Sequence, residues 1–280
     1  MRACFTKGIF GVLFLVMTLV ACNSDNNDPV PQKLTKCMVN AISYNGKTIR
    51  TYDYQPDGTI KKIVLSVGGS ADGIYEFSFS GNTGTQTVRQ AKRTTNFKLE
   101  LDSKGYINKA YSRFDTTGVT SYDTIWYVRN AEDYLVKMTQ KNVQYYPSQD
   151  MTVTTQYVTT FTIQNGNTVK AEIVNIVTNE NSVPNPTVVE TYEYYTDKLD
   201  SAETFAVITP NFQTGKRATN MLKRKTQVQG DDLAVRVTDY VYKYRADNLP
   251  EQIDYTENYS ILGMPQPEFK ASLVLSYICP

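Results

Sequence analysis

Few side chains in this sequence can carry covalent or proton-transfer chemistry. There is no histidine among the 280 residues, which removes the commonest general base and the commonest transition-metal ligand. Ser-His-Asp and Cys-His arrangements and His-based zinc sites are therefore excluded. Carboxylates remain, and glycoside hydrolysis would need two of them about 5–9 Å apart across a sugar. Asp231 and Asp232 are adjacent after Gly230, so on a strand they would face opposite ways. Glu190 with Glu193, and Glu251 with Asp254 and Glu257, are better spaced, but each lies in alternating, strand-like sequence where a charge solvates one face. Calcium needs several oxygens in one short loop. The oxygen-rich run Asp25-Asn26-Asn27-Asp28 has nothing to order it, and Asp197, Asp200 and Glu203 are a weaker set. No catalytic residue, metal ligand or cofactor is assigned, and the chain is read as non-enzymatic.

Aromatic side chains are the more informative chemistry, with 21 tyrosines, 11 phenylalanines and one tryptophan. Sugar rings, peptides and lipids all stack on such surfaces. Tyr240, Tyr242 and Tyr244 alternate and share one face of a strand, as does the wall of a hydrophobic sheet. Tyr192, Tyr194 and Tyr195 form a second group. Trp126, Tyr145 and Tyr146 gather around one hairpin and the segment after it, with Tyr145-Tyr146 preceding Pro147 and breaking the alternation. Those three are the candidate ligand-stacking residues.

The cysteines divide by position. Arg2 and Lys7 precede an apolar stretch from Gly8 to Val20, too short for a spanning helix and placed as the core of a signal peptide. It ends in Leu19-Val20-Ala21-Cys22, which resembles a bacterial lipobox. The resemblance implies cleavage after Ala21 and acylation of Cys22, and such acyl chains anchor a protein stably. Residues 1–21 are thus the expected signal peptide and 22–34 the lipidated Cys with a flexible, Pro-containing tether. The run after Cys22 also resembles the surface-export signal of Bacteroidetes lipoproteins, with Asp25 and Asp28 split by two asparagines. Two cysteines remain, Cys37 and Cys279, near the two ends of the rest of the chain. In an oxidising exported compartment an even pair is the expected disulfide.

From Thr35 onward the sequence is rich in Thr, Tyr and Val and alternates as half-buried strands do. Thr51–Tyr54, Gln55-Pro56-Asp57-Gly58 and Thr59–Ile63 read as strand, turn, strand. The pattern returns at Leu99–Ile107, Trp126–Lys137, Phe161–Lys170 with Asn165-Gly166, Tyr192–Leu199 and Tyr242–Leu249. The spacing is too irregular for a strict solenoid or propeller. Glu203–Ile208 and Thr219–Lys225 are the best places for a short helical insert, and turn signals crowd Val143–Thr152, Thr178–Thr187, Thr209–Thr219 and Tyr259–Phe269. Residues 35–280 are expected to form a single all-β domain, a strongly curved antiparallel meander or incomplete barrel, soluble because its alternate positions are Thr, Lys, Asp and Glu.

The hairpins resemble YD-type (Rhs-like) repeats, and the texture of the chain is similar to that of Bacteroidetes lipoproteins with a porin-like or lipoprotein-carrier-like β architecture. That resemblance implies a bent sheet or incomplete barrel and supplies no catalytic residue. The near balance of 29 basic and 28 acidic residues gives no reason to expect nucleic acid. The expected function is an outer-membrane lipoprotein anchored through Cys22, surface facing or else facing the periplasm, that binds a glycan or other nutrient polymer through Trp126, Tyr145 and Tyr146. A carrier of amphiphiles in the concave sheet, or a structural or adhesion protein, is the alternative. Oligomeric state is left open.

Overall fold

Alternation with a turn signal every dozen residues builds hairpin after hairpin, and the computed structural model shows where the series ends. It describes residues 37–67, 70–90, 93–116, 118–177, 186–200, 214–230 and 233–280. The expected signal peptide, lipidation site Cys22 and tether lie outside those residues, as does 201–213 with the expected helical insert at Glu203–Ile208. The strands are β1 (Met38–Tyr44), β2 (Lys47–Tyr54), β3 (Ile60–Val67), β4 (Ser70–Ser80), β5 (Thr83–Gln90), β6 (Arg93–Leu101), β7 (Ile107–Thr116) and β8 (Val119–Arg129). They continue as β9 (Leu135–Tyr146), β10 (Met151–Gln164), β11 (Asn167–Val177), β12 (Val188–Leu199), β13 (Asn220–Gln229), β14 (Ala234–Tyr244), β15 (Pro250–Ile261), the two-residue β16 (Met264–Pro265) and β17 (Phe269–Ile278).

Each strand pairs antiparallel with its successor, β15 passes over the short β16 to pair with β17, and β17 pairs with β1. The sheet is a closed sixteen-strand barrel. This corrects the expected open meander or incomplete barrel. Hairpin signals report only neighbours in sequence, whereas closure is made by the register Met38↔Ile278 through Tyr44↔Leu273 between the first and last strands. Cys37 and Cys279 flank that seam and are disulfide-bonded across a separation of 242 residues. The segment Thr219–Lys225, expected as a helical candidate, is strand: Asn220–Gln229 pairs with β12 and β14. Most of Val143–Thr152 is strand as well, with only Pro147–Gln149 forming a turn of 3₁₀ helix.

The even number of strands puts the start of β1, the end of β17 and every second turn at one end of the barrel, here called the near end. Four of those turns are the same object. In each, the first residue donates its N–H to a carbonyl four residues on: Gln55 to Thr59, Asp102 to Tyr106, Asn130 to Tyr134 and Arg245 to Leu249, at 2.7–2.9 Å. A second bond returns from the fourth residue to the first, and that fourth residue is left-handed: Gly58, Gly105, Asp133 and Asn248, with φ between 62° and 84°. This is a type I turn closed by a one-residue bulge, and each is followed by a register shift in the flanking strands. The hairpin at Asn165-Gly166 instead uses two left-handed residues, φ 49° and 75°.

Cross-strand register separates the two faces of the wall. Val39, Ile42, Tyr52, Ile63, Phe77, Met221, Tyr242, Ile253 and Leu275 form a buried core on the inner face of β1–β4 and β13–β17. A smaller cluster of Leu99, Ile107 and Ala110 continues it over β6 and β7. Outward positions carry ion pairs: Glu76 with Lys62 and Arg89 at 3.8 and 2.9 Å, Glu100 with Lys109 at 3.0 Å, Lys170 with Glu172 at 3.0 Å, and Arg224 with Asp239 at 2.5 Å. Basic residues at such positions would cost about 2–4 kcal/mol each at the centre of a bilayer. One inner position shows how tightly the wall is filled. A Cβ on Gly84 would lie 2.7 Å from the Phe79 ring and 2.8 Å from the Ser78 carbonyl oxygen. Gly84→Ala is expected to cost about 1–3 kcal/mol in urea unfolding through overpacking; unchanged stability would show that the Phe79 ring yields.

Candidate functional site

Between β9 and β13 the inner wall is not filled. A recess of about 300 Å³ opens there, walled by apolar side chains that include Leu135, Met138, Phe161, Ile163 and Ile173. Its volume is at the lower end of the range for small-molecule sites. Its floor is the segment Thr214–Thr219, which runs beneath the near-end turns. Lys216 N donates to Asp133 O at 2.8 Å, Thr219 N to Gly166 O at 3.1 Å, and Asp200 N to Thr219 O at 3.0 Å. Asn167 fixes the exit of this strap, accepting from Asn220 N at 2.9 Å through Oδ1 and donating to Asn220 Oδ1 at 3.0 Å. Arg129 reaches up from β8 and donates to Thr214 O at 3.2 Å, to Ile107 O at 3.0 Å, to Asp102 Oδ2 at 2.8 Å and to Asn108.

One side of the recess is polar. Glu190, Tyr192 and Tyr194 alternate along β12 and face inward with Ala171 and Leu222 as their register partners at the two ends. Lys225 on β13 pairs with Glu190 at 2.7 Å, and Tyr192 donates its hydroxyl to the other carboxylate oxygen. Tyr194 donates to Thr168 O at 2.9 Å. Burial, reinforced by the Glu190 charge, pushes the Tyr192 phenol far above its ordinary range. Burial and the charge of Asp200 do the same to Tyr194. Both phenols therefore remain proton donors throughout the physiological range. The arrangement is an apolar hollow with a paired acid and base and two phenols along one edge, suited to holding an apolar body with one polar group.

The three expected stacking residues are not brought together. Trp126 is on the outer face of β8, 38% exposed and opposite Thr139. Tyr145 is on the same outer face of β9, opposite Thr120, six positions along the ladder and so about 20 Å away. Tyr146 is the next residue on the strand and faces inward, its hydroxyl donating to Gln144 at 2.8 Å. The pair is the end of a strand, not a loop, so strand alternation divides it. Tyr240, Tyr242 and Tyr244 do share the inner face and belong to the core wall, with Tyr242 buried and donating to Leu222 O at 2.8 Å. Glu190 and Glu193, the carboxylates set aside as a catalytic pair, are split in the same way, because Ala171 and Arg224 are their respective partners on opposite faces. Among the described residues no group of three acids or cysteines is placed to hold a metal ion.

No family model and no curated protein matches this chain. Among solved structures, a porin-like protein from Bacteroides uniformis ATCC 8492 superposes with a TM-score of 0.54 at 15% identity, over 87% of this chain and 95% of that one. A porin-like protein from Bacteroides vulgatus ATCC 8482 superposes with a TM-score of 0.50 at 13% identity, over 86% of this chain and 98% of that one. At such identity the likeness is one of fold.

Proposed function

We propose that this protein is an exported binding lipoprotein, held at the outer membrane by acylated Cys22, whose barrel carries an amphiphile in the recess between β9 and β13. The observation that carries the reading is an inward apolar hollow of about 300 Å³ with Glu190, Lys225 and Tyr192 at its edge. An apolar hollow favours an apolar occupant, and the ion pair and phenols offer its polar group charge-assisted partners. The water-facing outer wall fits a barrel that stands on a tether and leaves membrane attachment to the lipid. The barrel is read as surface facing, with the periplasmic side as the other possible address, and as having no catalytic role.

The test uses residues 22–280 with Cys22→Ser, titrated with a fluorescent medium-chain fatty acid. Saturable binding is expected, weakened at least tenfold by Ile173→Trp, which fills the hollow, with an unchanged circular dichroism spectrum. Absence of saturable binding, or full affinity in the Ile173→Trp variant, would sink the reading.

A further inference from the structure

The inner wall changes character around the barrel. Over β1–β4 and β13–β17 it carries the main buried apolar cluster. Over β5–β9 the same alternation brings Gln86, Gln90, Arg93, Thr95, Ser112, Ser121, Asp123, Gln140 and Asn142 inward, as their register partners show: Gln90↔Arg93, Ser112↔Asp123, Asp123↔Asn142 and Ile125↔Gln140. An antiparallel sheet that only needed a core would place apolar side chains there, and polar groups kept from water are costly unless hydrogen-bonded. All of those inward polar side chains except Gln140 line a second recess of about 360 Å³. It adjoins the first, since Tyr127 on its wall and Met138 on the wall of the other are partners across the β8–β9 ladder, but no residue lines both.

We propose that this second recess binds a neutral, hydroxyl-rich ligand, a saccharide unit. Its lining includes one acid, Asp123, and one base, Arg93, so it favours neither sign of charge. The rest of its polar lining is amide and hydroxyl, groups that both donate and accept, as sugar hydroxyls do. They are already oriented by one another. Gln140 Nε2 lies 3.1–3.2 Å from both Asp123 carboxylate oxygens, Asn142 Nδ2 donates to Ser121 Oγ at 3.1 Å, and Gln90 Nε2 donates to Tyr75 OH at 2.8 Å. Phe97, Phe114 and Tyr127 contribute aromatic surface for the apolar C–H face of a pyranose, and Arg93 is held 4.1 Å over the Phe114 ring. Burial raises the Asp123 carboxyl above its usual range while the Gln140 amide and the Arg93 charge pull it back. A sugar hydroxyl donating to that carboxylate would favour its ionised form.

The experiment records protein-observed NMR spectra of residues 22–280 carrying Cys22→Ser with cellobiose, maltose, lactose and diacetylchitobiose, beside glucuronate and glucosamine as charged controls. At least one neutral disaccharide is expected to bind saturably at millimolar concentration, with the charged monosaccharides weaker. Asn142→Leu and the shape-preserving Asp123→Asn are expected to weaken it at least tenfold and fivefold, while Thr139→Leu on the outer face leaves it unchanged. Fatty-acid binding in the first recess persists in all three variants, so the two readings fail separately. Binding of none of the disaccharides, preference for a charged sugar, or affinity indifferent to Asn142 and Asp123 would each overturn the proposal.

Discussion

Replacing Cys37 and Cys279 together by Ala lowers the free energy of unfolding by about 4–5 kcal/mol, the largest effect expected of any small change in this protein. The bonded residues are 242 apart, and a cross-link over a loop of that length removes a large part of the denatured chain's freedom. The folded barrel changes little, because β1 and β17 remain paired from Met38↔Ile278 to Tyr44↔Leu273 without it. The loss is therefore in the unfolded state, and it should appear as a fall in Tm of about 10–15 °C for a domain of this size. Thermal and urea unfolding with and without a reductant provide the measurement. Equal stability of oxidised and reduced protein would mean that the unfolded chain is already as compact as the bond makes it.

The second large effect is at Arg129. Its side chain is 9% exposed, and its guanidinium donates to Asp102, Asn108 and the carbonyls of Ile107 and Thr214. It thus ties the β6–β7 turn to β8 and to the strap under the first recess. Arg129→Met removes these bonds and takes the guanidinium from the Asp102 carboxylate, and should cost about 3–5 kcal/mol. Arg129→Lys should recover only part of that loss, since one ammonium cannot span the same acceptors. The pH dependence has a definite sign. Burial works against the Asp102 charge, but the Tyr106 and Lys104 backbone N–H groups and Arg129 outweigh it and hold the carboxyl below its usual range. A depressed carboxyl contributes stability above its unfolded value of about 4, and that contribution is lost as pH falls through the folded value. The difference between wild type and Arg129→Met should therefore shrink below about pH 4 in urea titrations. A difference that is constant with pH would remove Asp102 from the account.

Local chemistry was legible in the sequence to the extent that it is local. The strand-turn-strand readings at Thr51–Ile63, Leu99–Ile107, Trp126–Lys137 and Tyr242–Leu249 match all four identical turns, and in the first two the left-handed fourth position is written as Gly. At Asn130–Asp133 and Arg245–Asn248 the same position is Asp133 and Asn248, residues that tolerate that conformation through their short polar side chains. Closure was not legible from hairpins, since the β1–β17 register joins strands at opposite ends of the sequence. The one signal for it was the cysteine pair. The recesses were hidden for a different reason. Along β8 and β9 both faces are largely polar, with Thr124, Thr139 and Lys141 outside and Asp123, Gln140 and Asn142 inside, so period-two reading gave no means of naming the inner face. Along β12 the alternation of Glu190, Tyr192 and Tyr194 was visible, but Lys225, which completes the group, lies on the next strand beyond the undescribed residues 201–213. Tyr145-Tyr146 misled because a break in apolar alternation looks the same in a loop and in a strand with two aromatic faces.

The covalent seam has a further consequence for a chain exposed to proteases. With Cys37 bonded to Cys279, the polypeptide from one to the other is a circle. A single cut in any turn opens the circle but releases no fragment, and both sides of the cut stay attached through the bond and through their ladders. The nicked molecule is a circular permutant of the original, with new ends at the cut and the old ends still joined. A barrel cut once would therefore stay in one piece, and only a second cut could set part of it free.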